Sequence, residues 1–168
     1  MLYIKDKEYK RIVRDILRNN EFKKLYNIEH HGISRWEHLL KVSYHSYLIA
    51  KKLKFDYKSV ARGGLLHDFY LDGDERNAKE KFLDTFTHPS RALTTSIKNF
   101  NINKIEKNII ISHMFPIYPT IPTYKESILV NFVDKGIGAY EMTKEFYYKF
   151  KYKLDYLVVF TLLFLINE

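Results

Sequence analysis

Residues 34–68 carry the sequence SRWEHLLKVSYHSYLIAKKLKFDYKSVARGGLLHD, and this stretch decides the fold. Ser34, with Glu37 three residues later, forms a capping box that predicts the start of a long helix. Asp56 is suited to cap a second helix, which ends in a His-Asp dipeptide. The stretch therefore predicts two consecutive helices with polar, chemically active side chains at the end of the second.

Two adjacent glycines, Gly63 and Gly64, fall inside the second predicted helix. Each glycine in a helix interior costs up to about 1 kcal/mol relative to alanine. Close packing against the first helix would justify that cost, and a local irregularity of the helix is the equal alternative.

The rest of the chain follows the same helical pattern. In the first half of the chain we predict a helix ending at Asn19-Asn20, a short helix near Glu21–Tyr26, a loop at His30–Ile33 and a loop with a short helix at Phe69–Thr87. In the second half we predict a helix from Pro89 to about Phe100, a helix from Asn103 to near His113, a proline-rich break at Phe115–Thr123, a helix from about Tyr124 past Asp134, and a last helix from near Lys149. We therefore predict an all-α, single-domain helical bundle over residues 1–168, with a motif-bearing core at about 30–142 and terminal helices packed on it.

Composition limits the chemistry that the chain can perform. It has 168 residues and no cysteine, which excludes disulfides, thiolate metal sites and cysteine catalysis. Any metal must be held by histidine and carboxylate. Residues 1–60 hold 14 Lys and Arg against 7 Asp and Glu, and the rest of the chain holds 14 against 13. This balance suits an anionic partner such as a phosphorylated substrate or nucleic acid, and a solvated lysine-rich surface is the equal alternative.

The longest apolar run is Tyr156–Ile166, which is shorter than the roughly 20 residues that a membrane span needs. We interpret the run as a buried core helix or a subunit contact, so a homodimer stays open. The N-terminal sequence MLYIKDKEYKR has charges where a signal peptide needs apolar residues. We predict a cytoplasmic protein without a membrane contact.

Potential metal ligands follow the predicted helices. The dipeptide His67-Asp68 ends one helix, and the other candidates lie at helix ends or on amphipathic helices: His38, His88, His113 and Asp134. Four histidines and two aspartates in one pocket could hold two divalent ions about 3.5–4 Å apart and leave open positions, which is typical of a catalytic centre. His45 lies two turns after His38, too far to share an ion directly, and we expect it in the core or behind a ligand.

These segments resemble the HD-domain metal-dependent phosphohydrolases, most closely the small single-domain bacterial members. The resemblance rests on Arg35-Trp36-Glu37-His38, Gly64-Leu65-Leu66-His67-Asp68, His88-Pro89, Ile110-Ile111-Ser112-His113-Met114 and Val133-Asp134-Lys135. It implies an all-α bundle with the metals between the helices. It also implies a first ion held by His38, His67, Asp68 and Asp134, and a second held by Asp68, His88 and His113. One or two divalent or trivalent ions are implied: iron or manganese first, with magnesium, nickel, cobalt or zinc as alternatives.

The chain departs from the family pattern at two places. No Gly-Tyr-Pro signature follows His113, which argues against a cyclic dinucleotide substrate. No lysine follows the His-Asp pair closely, so Lys135 or Arg35 is expected to contact phosphate, with His31 at the pocket rim as a further candidate. An exposed loop position is the alternative for His31. Most aromatic residues are expected in the core, and those that follow ligands (Phe69, Tyr70, Phe115 and Tyr118) are candidates for stacking a nucleobase.

The sequence thus predicts a metal-dependent phosphohydrolase, a phosphatase or phosphodiesterase, which cleaves a small phosphate ester or nucleotide with metal-activated water. Asp68, Lys135 and Arg35 are the predicted catalytic residues, and Arg35, His31 and Lys135 are predicted to bind substrate. The alternative is a non-catalytic regulatory module that binds metal or nucleotide. A nucleic-acid substrate has no motif to support it.

Overall fold

The computed structural model describes residues 4–30, 32–71 and 78–166, and it describes the side chains of residues 4–28, 32–71 and 86–153. This part of the chain is mostly helical, with one short hairpin and irregular connections such as the segment between Ser112 and Lys125, and the all-α prediction is confirmed. The helices are α1 (Lys7–Ile12), α2 (Arg14–Arg18), α3 (Asn20–Lys23), α4 (Arg35–Lys52), α5 (Tyr57–Leu66), α6 (Ala78–Asn99), α7 (Lys104–Ser112) and α8 (Lys125–Ile166). A 3₁₀ helix covers Lys24–Asn27, and β1 (Glu29–His30) pairs antiparallel with β2 (Ile33–Ser34).

Side-chain caps start the helices that carry the candidate site. The Ser34 hydroxyl accepts the N–H of Glu37 at 3.2 Å, and Asp56 caps α5 in the same way. Asn103 and Glu106 form a full capping box at the start of α7, with hydrogen bonds of 2.9 and 3.1 Å. These bonds satisfy backbone donors that a helix start otherwise leaves unpaired, which is why the sequence signal was reliable here.

Helix α4 lies at the centre of the bundle and packs against α5 and α8, while α7 packs against α5 and α8. The glycine pair makes this packing close. A Cβ on Gly64 would lie 3.1 Å from the Cα of Ser43 in α4, and one on Gly63 would lie 2.7 Å from Cδ1 of Ile109 in α7. Of the two alternatives for the glycine pair, the structure supports close packing: Gly64 allows α5 to approach α4, and Gly63 allows it to approach α7.

Several element boundaries differ from the prediction. Helix α6 begins at Ala78, so Pro89 lies inside the helix and the prediction that it starts one there is wrong. The first residues of α6 are Ala, Lys, Glu and Lys, which are good helix formers although they make no apolar run. The predicted loop near residue 30 is the β1–β2 hairpin, and the N-terminal helix is divided at Val13.

Helix α8 continues without a break for 42 residues, about 63 Å at 1.5 Å per residue. The predicted separate helix from Lys149 is wrong, because no proline or glycine occurs after Gly138 to end α8. The side chains of Tyr156–Ile166 fall outside the described ones, so their burial stays a prediction, as does the assignment of the whole chain to one domain. Among the described residues, no helix is both long and apolar enough to cross a bilayer.

Candidate metal centre

The structure brings all six predicted ligands into one cluster between the helices. They come from five elements, because three of them lie within α4, α6 and α8 and the others directly follow α5 and α7. The cluster contains His38, His67, Asp68, His88, His113 and Asp134, all buried except Asp134, which is partly buried. Residues 96 positions apart in sequence thus share one site, since α8 packs across α4.

One half of the cluster is built around Asp134. Its Oδ1 atom lies 3.1 Å from Nε2 of His38 and 3.3 Å from Nε2 of His67. One potential ligand atom from each of the three residues lies within 4.8 Å of the others. Two imidazole nitrogens and a carboxylate oxygen at this separation match the ligand types that divalent transition metals take in proteins.

The other half is built around Asp68. Its Oδ1 atom lies 3.4 Å from Nε2 of His88 and 3.4 Å from Nε2 of His113, and the two Nε2 atoms are 3.0 Å apart. His67, Asp68 and His113 form a second group of potential ligand atoms within 4.8 Å. Because His67 belongs to both groups, the two halves are contiguous.

Three of the histidines donate a hydrogen bond from Nδ1, the ring nitrogen that does not face the cluster. Nδ1 of His67 donates to the carbonyl of Gly64 at 2.8 Å, and Nδ1 of His113 donates to that of Ile110 at 2.7 Å. Nδ1 of His38 donates to Oε2 of Glu141, also at 2.7 Å. A histidine that donates from Nδ1 can present the lone pair of Nε2 to a metal. All three Nε2 atoms face the cluster.

The two aspartates stay ionised despite their burial. Burial acts to raise the pKa of Asp68, but the surrounding histidines outweigh it and hold that pKa well below its ordinary value. The pKa of Asp134 is also lowered, since the charge of His67 and the hydrogen bond from His38 outweigh burial. A carboxylate that stays charged in a buried site needs positive partners, which protonated histidines or a metal ion can provide.

The histidines respond in the opposite direction. Burial acts to lower the pKa of His38, but hydrogen bonds to Asp134 and Glu141 outweigh it and raise this pKa to about 9. The pKa of His113 is also raised against burial, chiefly by Asp68. Protons and a metal ion therefore compete for the same ring nitrogens.

The donor set fits a metal ion. Asp68 Oδ1 is fully buried, and within the part of the chain that the structure describes no hydrogen bond of ordinary geometry reaches it. A buried carboxylate oxygen without a donor is costly, and a cation beside it would remove that cost. The Nε2 atoms of His88 and His113 face the same oxygen, so oxygen and nitrogen ligands converge there.

Arg35 was predicted to contact phosphate, but in the structure its guanidinium contacts Tyr70. It is 4% exposed, its Nη1 donates to the carbonyl of Tyr70 at 2.9 Å, and its guanidinium lies 4.0 Å from the centre of the Tyr70 ring. The Tyr70 ring stacks on His88 with a centroid separation of 5.5 Å. Arg35 therefore holds the segment after the His-Asp pair, and these contacts disfavour its predicted role at the phosphate.

Lys135 lies beside the cluster on α8. Its Nζ donates to the carbonyl of His113 at 3.1 Å and to Oδ1 of Asn131 at 2.7 Å. Partial burial lowers the pKa of Lys135, and the charge of Asp134 opposes that shift. This is the predicted cation whose position agrees with a role at the site.

Three other sequence expectations have different outcomes. His31 lies outside the described residues, so its role at the rim stays a prediction. His45 is exposed and its Nδ1 bonds the carbonyl of Lys41, so the expectation that it lies in the core is wrong. Phe69 is fully buried against Phe22, so it cannot stack a nucleobase.

Sequence reasoning missed two polar residues of α8. Glu141 is 3% exposed and bonds His38, and the amide of Asn131 contacts the carbonyl of His113 at 2.6 Å. The signal for Glu141 was present, because it follows Asp134 by seven residues and therefore lies on nearly the same helix face. It was missed because no motif marks it.

The family model for the HD domain matches residues 35–147, and the chain belongs to this family. HD domains bind divalent metal ions, and most members of the family are metal-dependent hydrolases. No curated protein and no solved structure gives a significant match to the chain.

Proposed function

We propose that the protein is a metal-dependent phosphohydrolase that acts on a small phosphate ester or nucleotide. One observation carries the proposal: three buried histidines donate from Nδ1 to fixed acceptors, and their Nε2 atoms face two ionised aspartates. A structural metal site is closed, whereas six potential ligands shared between two ions would leave positions for water and a substrate oxygen.

The proposed ligands divide as the geometry does. His38, His67 and Asp134 would hold one ion, and His88 and His113 would hold a second. Asp68 would contribute to both sites, because it offers a ligand atom within 4.8 Å of one from His67 and one from His113. When bound, the ions supply an activated water and neutralise charge on the phosphoryl group. Iron or manganese is proposed first because the resemblance to the HD-domain family implies them, and mixed imidazole and carboxylate ligands are compatible with both.

Lys135 is the proposed contact for the substrate on the leaving-group side. Its ammonium group already lies beside His113 and needs only to exchange the contact with Asn131 for a phosphate oxygen. A partly buried lysine with a lowered pKa also gives up a proton more readily than an exposed one. Arg35 would act indirectly, by holding Tyr70 against His88.

The substrate is proposed to be small because the segment that follows His113 is fixed in place. The Tyr118 hydroxyl shares a hydrogen bond of 2.8 Å with Ser90, and the Thr123 N–H donates to Asn108 at 3.0 Å. Prolines stiffen the same segment. A fixed wall beside the ligands suits a compact phosphate compound better than a polymer. A cytoplasmic location and a homodimer stay predictions.

The first test measures metal binding and turnover in one matched pair of variants. His38→Ala should lose bound iron or manganese and phosphatase activity on mononucleotides, while His45→Ala should keep both. The two histidines lie seven residues apart on α4, so the pair controls for the substitution itself. Absence of metal from the wild-type protein, with no rebinding of either ion, would contradict the proposal. Metal binding without turnover of any phosphate ester would favour the regulatory module.

The second test separates small substrates from polymers. We expect kcat/KM for a mononucleotide to change little between 50 and 200 mM salt, whereas contacts to six to ten phosphates of a polymer would lower affinity by about 10³–10⁵. Faster and strongly salt-dependent cleavage of single-stranded RNA or DNA would overturn the small-substrate proposal.

A further inference from the structure

We propose that Glu141 is a positioning residue that sets the metal affinity of His38, an inference that rests on the proposed metal site. Its carboxylate is 3% exposed, and its Oε2 atom accepts the hydrogen bond from Nδ1 of His38 at 2.7 Å. No motif of the sequence marks this residue.

The His38 ring is held at both ends by one helix. Asp134 lies 3.1 Å from its Nε2 atom and Glu141 lies 2.7 Å from its Nδ1 atom, and the two carboxylates are two turns apart on α8. Rotation of the imidazole about its Cβ–Cγ bond would break the bond to Glu141 and turn Nε2 away from Asp134. The carboxylate therefore fixes both the tautomer and the direction of the ligand atom.

Glu141 differs in charge from the other acceptors of the cluster. His67 and His113 donate to neutral backbone carbonyls, whereas His38 donates to a carboxylate. A carboxylate increases the electron density of the ring more than a carbonyl does, and it thereby strengthens Nε2 as a ligand. Of these three imidazoles, that of His38 would thus bind a metal ion most strongly.

Lys41 balances the charge of Glu141 without using the same oxygen. Its Nζ lies 3.1 Å from Oε1 of Glu141, and Oε2 remains bonded to His38. Lys41 also pairs with Glu37 at 3.2 Å, one turn earlier on α4. A purely structural role for Glu141 would consist of this ion pair between α4 and α8, so variants at positions 41 and 141 separate the two roles.

The experiment measures the dissociation constant of Mn²⁺ by competition with a chelator, for the full-length protein and four variants. Loss of an outer partner of a metal-bound histidine typically weakens binding 10–100-fold. We expect Glu141→Gln to weaken binding about tenfold, because the amide oxygen still accepts from Nδ1 but carries no charge. Glu141→Ala should weaken it by up to about 100-fold. Lys41→Met should bind at least as tightly as wild type, because the carboxylate then acts on His38 alone.

Glu145→Gln is the matched control. Glu145 lies one turn after Glu141 on α8 and pairs with the exposed Lys149, so the same change of charge should leave metal affinity unaltered. Circular dichroism and thermal melting of the metal-free proteins check that each variant is folded.

A second readout follows the hydrogen bond itself. In the Zn²⁺-loaded protein the Nδ1 proton of His38 should resonate far downfield in the NMR spectrum, and Glu141→Gln should move it upfield while the resonances of His67 and His113 stay in place. Equal affinity in wild type and both Glu141 variants would overturn the proposal, as would equal loss in Lys41→Met and Glu141→Gln. If the wild-type protein binds no metal, the proposed function fails at its own step, before any variant is compared.

Discussion

His67 and His113 are oriented by backbone carbonyls three residues earlier in the chain, whereas His38 is oriented by a carboxylate 103 residues away. The first arrangement is local, since each histidine directly follows a helix and bonds its last turn. The second exists only when α8 packs across α4. Local geometry thus provides neutral acceptors for two of the histidines, and tertiary packing provides a charged acceptor for the third.

The largest effect is expected at Asp68, which lies beside the two histidines that have local acceptors. Asp68→Ala removes the carboxylate beside His67, His88 and His113, so both ions would lose a ligand. Several kcal/mol of transition-state stabilisation correspond to about three powers of ten in kcat. We expect that loss, together with lower metal content by elemental analysis, in a protein that still folds.

His45→Ala is the control for this prediction, because His45 is exposed and lies outside the cluster. It should keep most of its activity. Similar activities for the two variants would mean that the cluster is not the reaction site.

The second-largest effect is expected at His38, whose Nδ1 atom donates to the carboxylate of Glu141 on a distant part of the chain. The pKa of His38 is about 9 in the folded protein, raised by Asp134 and Glu141 against burial, and about 6.5 in an unfolded chain. A raised histidine pKa stabilises the fold fully below the unfolded value, and this contribution is lost as pH rises through the folded one. The metal-free protein should therefore lose up to about 3 kcal/mol of stability between pH 6.5 and 9.

Urea unfolding at several pH values measures this loss. The metal-loaded protein should lose less stability over the same range, because an ion takes the place of the proton. A metal-free protein whose stability is flat between pH 6.5 and 9 would show that the carboxylates do not hold His38 in its charged form. Glu141→Gln should flatten the profile partly, since Asp134 still faces the ring.

Features that depend on neighbouring residues could be predicted from the sequence. Features that depend on contacts between distant parts of the chain could be predicted only where a motif marks them. The caps at Ser34, Asp56 and Asn103 depend on residues three positions apart, and each predicted a helix start that the structure contains. The six ligands were named through a motif that samples distant parts of the chain. Glu141 has no motif: its spacing from Asp134 places it on nearly the same face of α8, but only the packing of α8 on α4 reveals that it contacts His38.

The sequence predictions that the structure does not support have physical causes of the same kind. Arg35 is the first residue of α4 and stands near a ligand in sequence, but its direction depends on where the Tyr70 carbonyl lies. The start of α6 before Pro89 was missed because the stretch is polar and charged and contains Gly73, although Ala78, Phe82 and Phe86 recur at helical spacing. Sequence spacing alone cannot decide which side of a helix a neighbouring segment covers.

The third-largest effect is expected at Gly64, whose carbonyl accepts the hydrogen bond from Nδ1 of His67. Gly64→Ala would place a Cβ 3.1 Å from the backbone of Ser43, and either α4 or α5 must shift. Overpacking of this kind costs typically 1–3 kcal/mol, and the better helix propensity of alanine returns up to about 1 kcal/mol. We expect a net loss of about 1–2 kcal/mol in urea unfolding of the metal-free protein.

Gly138→Ala on α8 is the matched control for the third effect. A Cβ there meets nothing within 4 Å, so alanine should stabilise the helix by up to about 1 kcal/mol. If both variants are stabilised, the close approach of α5 to α4 does not constrain the fold.

The smallest effect is expected at Lys135, a residue of α8 that contacts the backbone of His113. Its Nζ donates to the carbonyl of His113 from a position next to Asp134, so it contacts the backbone of one proposed ligand and is adjacent in sequence to another. Lys135→Met keeps the length of the side chain and removes its charge, while Asn131 still contacts the carbonyl of His113 at 2.6 Å. Metal content should therefore stay unchanged. If Lys135 contacts the phosphate, kcat/KM for a mononucleotide should fall about tenfold, because one charge-assisted hydrogen bond contributes roughly 1.5 kcal/mol.

Lys144→Met on the same helix is the control. The ammonium group of Lys144 lies over the ring of Tyr148, so its loss should leave kcat/KM unaltered. A loss of metal in Lys135→Met, instead of a loss in turnover, would show that this lysine supports His113 and does not contact the substrate.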